Sequence, residues 1–262
     1  MQTEINGHII NYKLLNKQFF DNENPVLVFL HEGLGSIAQW KLIPQKISDA
    51  LNLAGIIYDR IGYGLSSERK KVLNTDYLHD EALIYLPELL INLNIHQKVI
   101  LIGHSDGATI SLLFASFFPD KTAGVISEAA HVIIEDLTVN GINNLKTAFS
   151  KNPALMKSLQ KYHGEKTEKL FNEWIALWLT NEIKTWNIEI ELRNVQTNIL
   201  AIQGDKDEFG SYKQLETIKN LVNSDVEIQF IPNCGHIPHF EKETEVLKRI
   251  IGFVNKVYIK KT

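Results

Sequence analysis

Five short runs of apolar residues recur along the chain, each separated from the next by a longer amphipathic segment. The runs span residues 26–30, 54–58, 99–102, 124–126 and 199–202. Strands without polar alternation are buried on both faces, as in a parallel sheet that crossover helices cover. A sixth run, 226–231, alternates apolar and polar residues, which favours a place nearer the edge. The pattern predicts an α/β fold with a mostly parallel central sheet flanked by helices.

The stretch between residues 132 and 195 departs from this alternation, because it contains no strand-like run of comparable strength. Its amphipathic patterns predict helices at 140–149, 153–162 and 167–179. Elsewhere, helices are predicted at 76–93, 108–118 and 244–257. We therefore predict a core made of residues 1–131 and 196–262, with an inserted helical cap at 132–195.

Composition argues against several classes of protein. The 262 residues are 44% hydrophobic and 22% charged, which is typical of a globular chain. With 27 basic and 31 acidic residues, the net charge of -4 offers no general attraction for nucleic acid. No apolar stretch approaches the roughly 20 residues that a membrane-spanning helix needs, and residues 1–13 lack the apolar segment of a signal peptide. We expect a cytoplasmic protein that binds neither nucleic acid nor a membrane.

Neither a disulfide nor a metal centre is expected. Cys234 is the only cysteine, so it has no internal partner. His236 and His239 lie three residues apart, but the chain contains no H-E-x-x-H pattern. We expect no cofactor and no metal, and a small molecule as the partner.

The sharpest local pattern is the pentapeptide Gly103-His104-Ser105-Asp106-Gly107, between an apolar run and a predicted helix. A strand–turn–helix of this kind is the context of a G-x-S-x-G nucleophile elbow. Glycines are needed because a Cβ at either position would collide with neighbouring backbone. The helix N-terminus also favours a developing anion beside the serine. Ser105 is therefore the predicted nucleophile.

A serine nucleophile needs a histidine base, and the base needs an acid that orients it. Asp207 follows the fifth apolar run, and His236 follows the sixth. Both loops lie at the carboxyl ends of strands, at the sheet edge that also carries the elbow. We predict a triad of Ser105, Asp207 and His236, with Asp205 as a rival acid and Glu208 as a weaker one.

Two backbone N–H groups should bind the oxyanion that forms when a serine attacks a carbonyl. One is predicted to be that of Asp106, directly after the nucleophile. The other is predicted in the loop after the first apolar run, whose residues are His31-Glu32-Gly33-Leu34-Gly35-Ser36. Gly33 is the favoured donor there, with Leu34 next.

Taken in chain order, these pieces resemble the α/β-hydrolase superfamily over nearly the whole chain. The matching motifs are residues 31–36, Asp59-Arg60-Ile61-Gly62-Tyr63-Gly64-Leu65-Ser66, the elbow, Gly204-x-x-Asp207 and Gly235-His236. The resemblance implies the fold named above and favours Asp207 over Asp205, because the family places the acid three residues after a glycine. It also identifies residues 132–195 as the cap that covers the active site in many members.

The Ser105-Asp106 pair resembles the biphenyl-hydrolase-like (amino-ester hydrolase) branch, where an acid at this position is associated with amine-bearing substrates. A carboxylate beside a forming oxyanion is unfavourable unless a positive group or a hydrogen-bond network compensates it. A cationic substrate group would serve, and so would contacts within the protein. For Asp106, and equally for Glu32, substrate recognition and internal hydrogen bonding are both open.

The candidate substrate-binding residues are Glu32, Leu34, Trp174 and Trp178. The two tryptophans are alternatively the internal core of the helical insertion. The predicted function is a serine hydrolase that cleaves a small carboxylic ester, with an amine-bearing ester or an amide as the narrower form. Carbon–carbon bond hydrolysis or thioester cleavage by the same triad, and a non-catalytic receptor for a small ligand, are the alternatives.

Overall fold

The structure, a computed structural model, describes residues 1–258 of the chain. Eight strands form one sheet in the order β1-β2-β4-β3-β5-β6-β7-β8. The strands are β1 (Gln2–Ile5), β2 (His8–Leu15), β3 (Val26–Leu30), β4 (Gly55–Tyr58), β5 (Val99–His104), β6 (Thr122–Glu128), β7 (Ile199–Gly204) and β8 (Val226–Ile231). Strands β3 to β8 pair parallel with one another, whereas β2 pairs antiparallel with β1 and β4. The predicted fold class is confirmed, and β8 lies at an edge.

Helices connect the strands and cover the sheet. They are α1 (Ile43–Leu51), α2 (Tyr77–Asp80), α3 (Leu86–Asn92), α4 (Asp106–Phe117), α5 (Asp136–Lys151), α6 (Pro153–His163), α7 (Thr167–Trp178), α8 (Glu189–Leu192), α9 (Tyr212–Leu221), α10 (Pro238–Glu241) and α11 (Glu243–Val257). The helix predicted at 76–93 is divided by a π-helical turn at Glu81–Tyr85. Pro87 follows this turn and has no N–H to donate to the preceding turn, so the regular α-helical ladder is interrupted there.

Each face of the sheet has its own apolar core. Along β3, Val26, Val28 and Leu30 point to the larger core, while Leu27 and Phe29 point to the smaller one. This alternation follows from the two-residue period of a strand. The larger core includes residues of α3, α4, α7 and α9, and the smaller one lies beneath α1 and α11. Burial on both faces explains why the sequence of β3 carries no polar alternation.

The N-terminal hairpin of β1 and β2 is absent from the sequence-based prediction. Its turn is Asn6-Gly7, where both residues adopt positive φ, at 50° and 74°. Asn-Gly is a strong signal for a two-residue hairpin turn, because such turns require positive φ at both positions. The sequence therefore carries a signal for the hairpin at its turn, although apolar and polar residues alternate only weakly along β1 and β2.

The strand order reverses at β3, whose neighbours are β4 on one side and β5 on the other. Ligands of open α/β sheets bind at the carboxyl ends of strands on either side of such a reversal. The loop after β3 carries Gly33, and the loop after β5 carries Ser105. The topology thus brings these two predicted site residues to one crevice.

The chain between β6 and β7 is helical, with α5 to α8 and short 3-10 turns. An isolated bridge joins Ile133 to Asn187 near the two ends of this stretch. We call α5 to α8 the inserted helices. Within residues 1–258, no helix combines the length and apolar character needed to cross a membrane.

Candidate active site

Ser105 lies in a strained turn between β5 and α4. Its φ and ψ are 53° and -118°, a conformation that non-glycine residues rarely adopt. A Cβ on Gly103 would lie 2.1 Å from the carbonyl oxygen of Gly107, and one on Gly107 would lie 2.0 Å from that of Leu30. Both contacts are with backbone that has no room to move, so the two glycines of the predicted elbow are sterically required.

The structure brings Ser105, His236 and Asp207 into one hydrogen-bonded chain. Ser105 Oγ lies 3.0 Å from His236 Nε2, and His236 Nδ1 lies 2.8 Å from the nearer Asp207 oxygen. Gln203 Nε2 and the N–H of Phe209 also donate to the Asp207 carboxylate. Burial would raise the pKa of Asp207, but the contact with His236 and the Phe209 N–H outweigh it and lower the pKa. Asp207 is therefore an ionised partner for the imidazole.

The two rival acids lie elsewhere. The carboxylate of Asp205 accepts from the N–H of Cys234, at 3.3 Å, and so holds the loop that precedes His236. Glu208 is exposed and lines the cavity in front of Ser105. Of the three acids that follow β7, only Asp207 contacts the His236 ring among the described residues.

Three backbone N–H groups around Ser105 are free. Within residues 1–258, the N–H groups of Gly33, Leu34 and Asp106 donate no hydrogen bond to another backbone group. Gly33 and Leu34 line the same cavity as Ser105. Asp106 begins α4, so its N–H has no partner within the helix. These groups are therefore available to a negatively charged oxygen next to Ser105.

The carboxylate of Asp106 belongs to a buried network of hydrogen bonds. Arg60 Nη2 lies 3.1 Å from Asp106 Oδ2, and the Tyr77 hydroxyl lies 2.9 Å from the same oxygen. Trp178 Nε1 in turn donates to Tyr77. The Asp106 side chain has no exposed surface, so it is not accessible to a substrate ammonium group. Of the two roles left open for Asp106, internal hydrogen bonding is the one that the structure shows.

Arg60 was missed as a functional candidate, although it lies in the Asp59–Ser66 motif. Its side chain is 1% exposed and lies over the Tyr63 ring, with Cζ 4.4 Å from the ring centroid. Burial would lower the pKa of Arg60, but Tyr63, Asp106 and Glu81 outweigh it and raise the pKa. The guanidinium is therefore charged. The signal for Arg60 is a positive charge beside the acid of the elbow. The sequence does not show it, because only the fold brings Arg60 and Asp106 together.

Glu32 faces the cavity and also contacts the elbow. One carboxylate oxygen lies 3.6 Å from Nδ1 of His104, longer than an ordinary hydrogen bond, so the contact is an ion pair. Burial would raise the pKa of Glu32, but His104 outweighs it and lowers the pKa to about 2. The Glu32 side chain keeps 26% of its surface exposed. It is thus an ionised carboxylate with access to the cavity.

The cavity in front of Ser105 has a volume of about 520 Å³. Trp174 and Trp178 of α7 line it together with Leu34, and these three were predicted to bind substrate. Three acids line it as well (Glu32, Glu208 and Glu241), and no lysine or arginine does among the described residues. A second cavity of about 590 Å³ lies at the opposite, amino ends of the strands, away from Ser105.

His131 forms part of the cavity wall beside the base. Its ring lies 6.0 Å from that of His236, centroid to centroid, and packs edge-on against Trp178. Burial, followed by the nearby His236, lowers the pKa of His131 to about 4. The residue is therefore a neutral imidazole at neutral pH.

Comparison with known proteins identifies the family. A family model described as the alpha/beta hydrolase fold matches residues 25–157. The chain belongs to the α/β-hydrolase fold family. The matched residues include the oxyanion loop candidates and the elbow, and the resemblance seen in the sequence is confirmed at the level of the superfamily.

Two curated relatives cover most of the chain. A proline iminopeptidase of Saccharolobus solfataricus is 23% identical, over 96% of this chain and 91% of its own length. Protein PHYLLO, a chloroplastic protein of Arabidopsis thaliana, is 27% identical over 90% of this chain. The chain spans only 16% of the length of PHYLLO, so it corresponds to a small part of that protein.

Solved structures share the architecture at low sequence identity. The crystal structure of a membrane phospholipase A, described as a bacterial virulence factor, superposes with a TM-score of 0.79. The match covers 98% of this chain and 86% of the other, at 16% identity. Similarity at this level shows the fold alone.

Proposed function

We propose that this α/β-hydrolase is a serine hydrolase of small carboxylic esters, acting through an acyl-enzyme. The observation that carries the proposal is the hydrogen-bonded chain from Ser105 to His236 to Asp207, with distances of 3.0 and 2.8 Å, at the base of a cavity. A serine, a histidine and a buried carboxylate in this order form a nucleophile, a base and its orienting acid.

In the first step, Ser105 Oγ attacks the ester carbonyl while its proton passes to Nε2 of His236. Asp207 accepts the hydrogen bond from Nδ1 and so fixes the tautomer and stabilises the imidazolium. The free N–H groups of Gly33 and Asp106 bind the oxygen that becomes negative. As the tetrahedral intermediate collapses, the leaving alcohol takes the proton from His236. Water then attacks the acyl-enzyme with the same histidine as base and releases the acid and Ser105.

The preferred substrate in this proposal carries a positively charged amine near the ester. Support comes from the ionised carboxylate of Glu32 and the exposed acid Glu208, in a cavity whose described lining includes no lysine or arginine. Indole faces such as those of Trp174 and Trp178 also attract cations. Glu241 contributes less, because its carboxylate accepts from the N–H groups of Gly235 and Ile237. One curated relative is named a proline iminopeptidase, a precedent for a nitrogen-bearing substrate.

The test compares phenylalanine methyl ester with methyl 3-phenylpropionate, which differ only in the α-amino group. Initial rates are measured for the wild type and for Ser105→Ala, which should abolish turnover of both. Wild-type kcat/KM should be higher for the amino ester. Glu32→Gln should lower kcat/KM for the amino ester by about 10-fold or more, because a hydrogen bond to a charged group contributes about 1.5–3 kcal/mol.

Glu68→Gln is the matched control, because Glu68 is exposed and does not line the cavity. It should change neither rate. Equal rates for the two esters would leave the serine esterase but remove the amine preference. No serine-dependent rate on either ester would contradict the ester hydrolase itself. A fluorophosphonate probe then separates the remaining cases, since it labels an activated Ser105 but not the serine of a receptor without catalytic geometry.

A further inference from the structure

We propose that Arg60 is a positioning residue that holds both halves of the oxyanion hole through one buried guanidinium group. The inference rests on the proposed serine hydrolase function and concerns the same site. Arg60 lies behind the loop after β3 and contacts neither Ser105 nor His236 by hydrogen bond. Its role would therefore be exerted through the peptide groups that bind the oxyanion.

The first half is the peptide that joins Glu32 to Gly33. Arg60 Nη2 donates to the carbonyl oxygen of Glu32 at 2.9 Å. This carbonyl belongs to the same amide group as the N–H of Gly33, the predicted oxyanion donor. A charged donor on the carbonyl fixes the plane of the amide and polarises it, so that its N–H becomes a stronger donor on the opposite side.

The same carbonyl also accepts from His31 Nδ1 at 2.8 Å and from the N–H of Gly35 at 3.0 Å. Of the three donors, only Arg60 is charged, because burial lowers the pKa of His31 well below its usual value. The neutral His31 ring uses its other nitrogen, Nε2, to accept the N–H of Arg60 at 3.1 Å. Arg60 is thereby attached to this loop by backbone and side chain together.

The second half is Asp106, whose N–H is the other predicted oxyanion donor. Arg60 Nη2 lies 3.1 Å from its carboxylate, so the nitrogen that contacts the Glu32 carbonyl also pairs with this acid. Without a positive partner, a carboxylate so close to the developing oxyanion would oppose the reaction. Arg60 supplies that compensation and ties the elbow to the loop after β3.

A purely stabilising role explains this arrangement poorly. Within residues 1–258, Nε and Nη1 of Arg60 and Oδ1 of Asp106 are buried without a hydrogen-bond partner. Buried ion pairs with unsatisfied polar atoms contribute little net stability, and apolar replacements of similar volume are often as stable or more so. The side-chain hydrogen bonds that Arg60 does make go to the carbonyl of the peptide that carries the Gly33 N–H and to the carboxylate of Asp106.

Two double variants replace the ion pair without leaving a lone charge. Arg60→Gln/Asp106→Asn keeps polar groups, and Arg60→Met/Asp106→Leu makes the site apolar. Either variant serves, provided that its circular dichroism and thermal unfolding show a folded protein. We measure kcat and KM on the better ester, and inhibition by the matching trifluoromethyl ketone. Ser105 Oγ adds to the carbonyl carbon of that ketone and gives its proton to His236, so the ketone oxygen becomes a stable oxyanion.

We expect kcat to fall by about 10- to 100-fold. This is less than the roughly 10²- to 10³-fold loss on removing an oxyanion donor, because the variants displace or weaken the donor and do not remove it. The inhibition constant of the ketone should rise by the same factor while KM changes little, because the oxyanion exists only after attack. Asp106→Asn alone should lose much less kcat, because Arg60 still contacts the Glu32 carbonyl. Arg69→Gln is the control, since Arg69 also donates to a backbone carbonyl, that of Ile61, but outside this site.

Two results would overturn the inference. One is a folded double variant with wild-type kcat and ketone affinity, and the other is an Asp106→Asn variant that loses as much kcat as the double variant. The failure of the proposed function is a separate result, because it would appear as wild-type turnover that is absent or does not depend on Ser105.

Discussion

His104 Nε2 lies 2.8 Å from the main-chain carbonyl oxygen of His236. The residue before the proposed nucleophile thus donates to the residue that carries the proposed base. The other ring nitrogen faces Glu32 at 3.6 Å. Burial would lower the pKa of His104, but Glu32 and Glu128 outweigh it and raise the pKa. His104 therefore binds a proton more readily than an ordinary histidine, and it links the loop after β3 to the loop that carries His236.

This link predicts a stability contribution with a defined pH window. The folded-state pKa of His104 is raised above 6.5. Its contribution to the free energy of unfolding is therefore complete below pH 6.5 and is lost as pH rises through the folded-state pKa. The folded-state pKa of Glu32, about 2, is depressed below 4.5, so its contribution is complete above 4.5 and is lost on acidification. The pair should stabilise the protein most between these limits.

Glu32→Gln should therefore lower the free energy of unfolding by about 1–2 kcal/mol at about pH 5.5, and by less at about pH 8.5. Urea unfolding at both pH values measures the difference. Glu68→Gln removes a surface pair with Lys169 and should have the same small effect at both. A Glu32→Gln effect that is equal at the two pH values would contradict the charged pair.

Asp207 should orient His236, whereas Asp205 should not. Asp207→Asn keeps the shape of the side chain but favours the wrong imidazole tautomer, so kcat should fall by about 10⁴-fold. Asp205→Asn is the matched control, because its carboxylate contacts the Cys234 N–H and not the imidazole. Steady-state rates on the preferred ester measure both. If Asp205→Asn proved the more damaging, the acid in the proposed triad would be wrongly assigned.

The glycines of the elbow should be required for folding. An added methyl group at Gly107 would lie 2.0 Å from the Leu30 carbonyl oxygen, so Gly107→Ala should cost about 2 kcal/mol or more. Gly252→Ala is the control, since nothing lies within 4 Å of its Cβ in α11. That substitution should stabilise the helix by about 0.5–1 kcal/mol. Thermal unfolding measures the stability of both variants. Equal stabilities would contradict the steric account of Gly107.

The sheet and the elbow were predictable because their signals are local. A buried parallel strand carries an unbroken apolar run, and the turn at Ser105 needs glycine on both sides within five residues. Chain order then pointed to His236 and to three acids after β7, and the family resemblance favoured Asp207 among them. The fold brings Asp207 and His236 within hydrogen-bonding distance of one another.

The Arg60–Asp106 pair could not be predicted in the same way, because its partners are 46 residues apart and only packing shows which acid faces which base. Without that contact, Asp106 remained open to a substrate role. Substrate preference likewise depends on side chains that distant parts of the chain bring to one cavity, such as Glu32 and Trp174.

His131 should make the folded protein sensitive to acid. Its folded-state pKa of about 4 lies below the ordinary 6.5, because burial and then the nearby His236 disfavour the charged ring. Below pH 6.5 the unfolded chain binds a proton that the folded protein does not. The free energy of unfolding therefore decreases as the pH is lowered from 6.5 to about 4. The full shift corresponds to about 3 kcal/mol.

His131→Asn removes this term, so its unfolding free energy should fall less than that of the wild type between about pH 7.5 and about pH 4.5, by about 2–3 kcal/mol. Urea unfolding at the two pH values measures the difference. His96→Asn, at an exposed histidine, should retain the wild-type pH dependence. All three proteins share their other titrating groups. If the unfolding free energy of His131→Asn changed with pH as much as that of the wild type, the His131 ring would accept a proton in the folded wild-type protein. In that case His131 would be a cation beside His236 in mildly acidic solution, and activity would fall there together with the affinity for an amine-bearing ester.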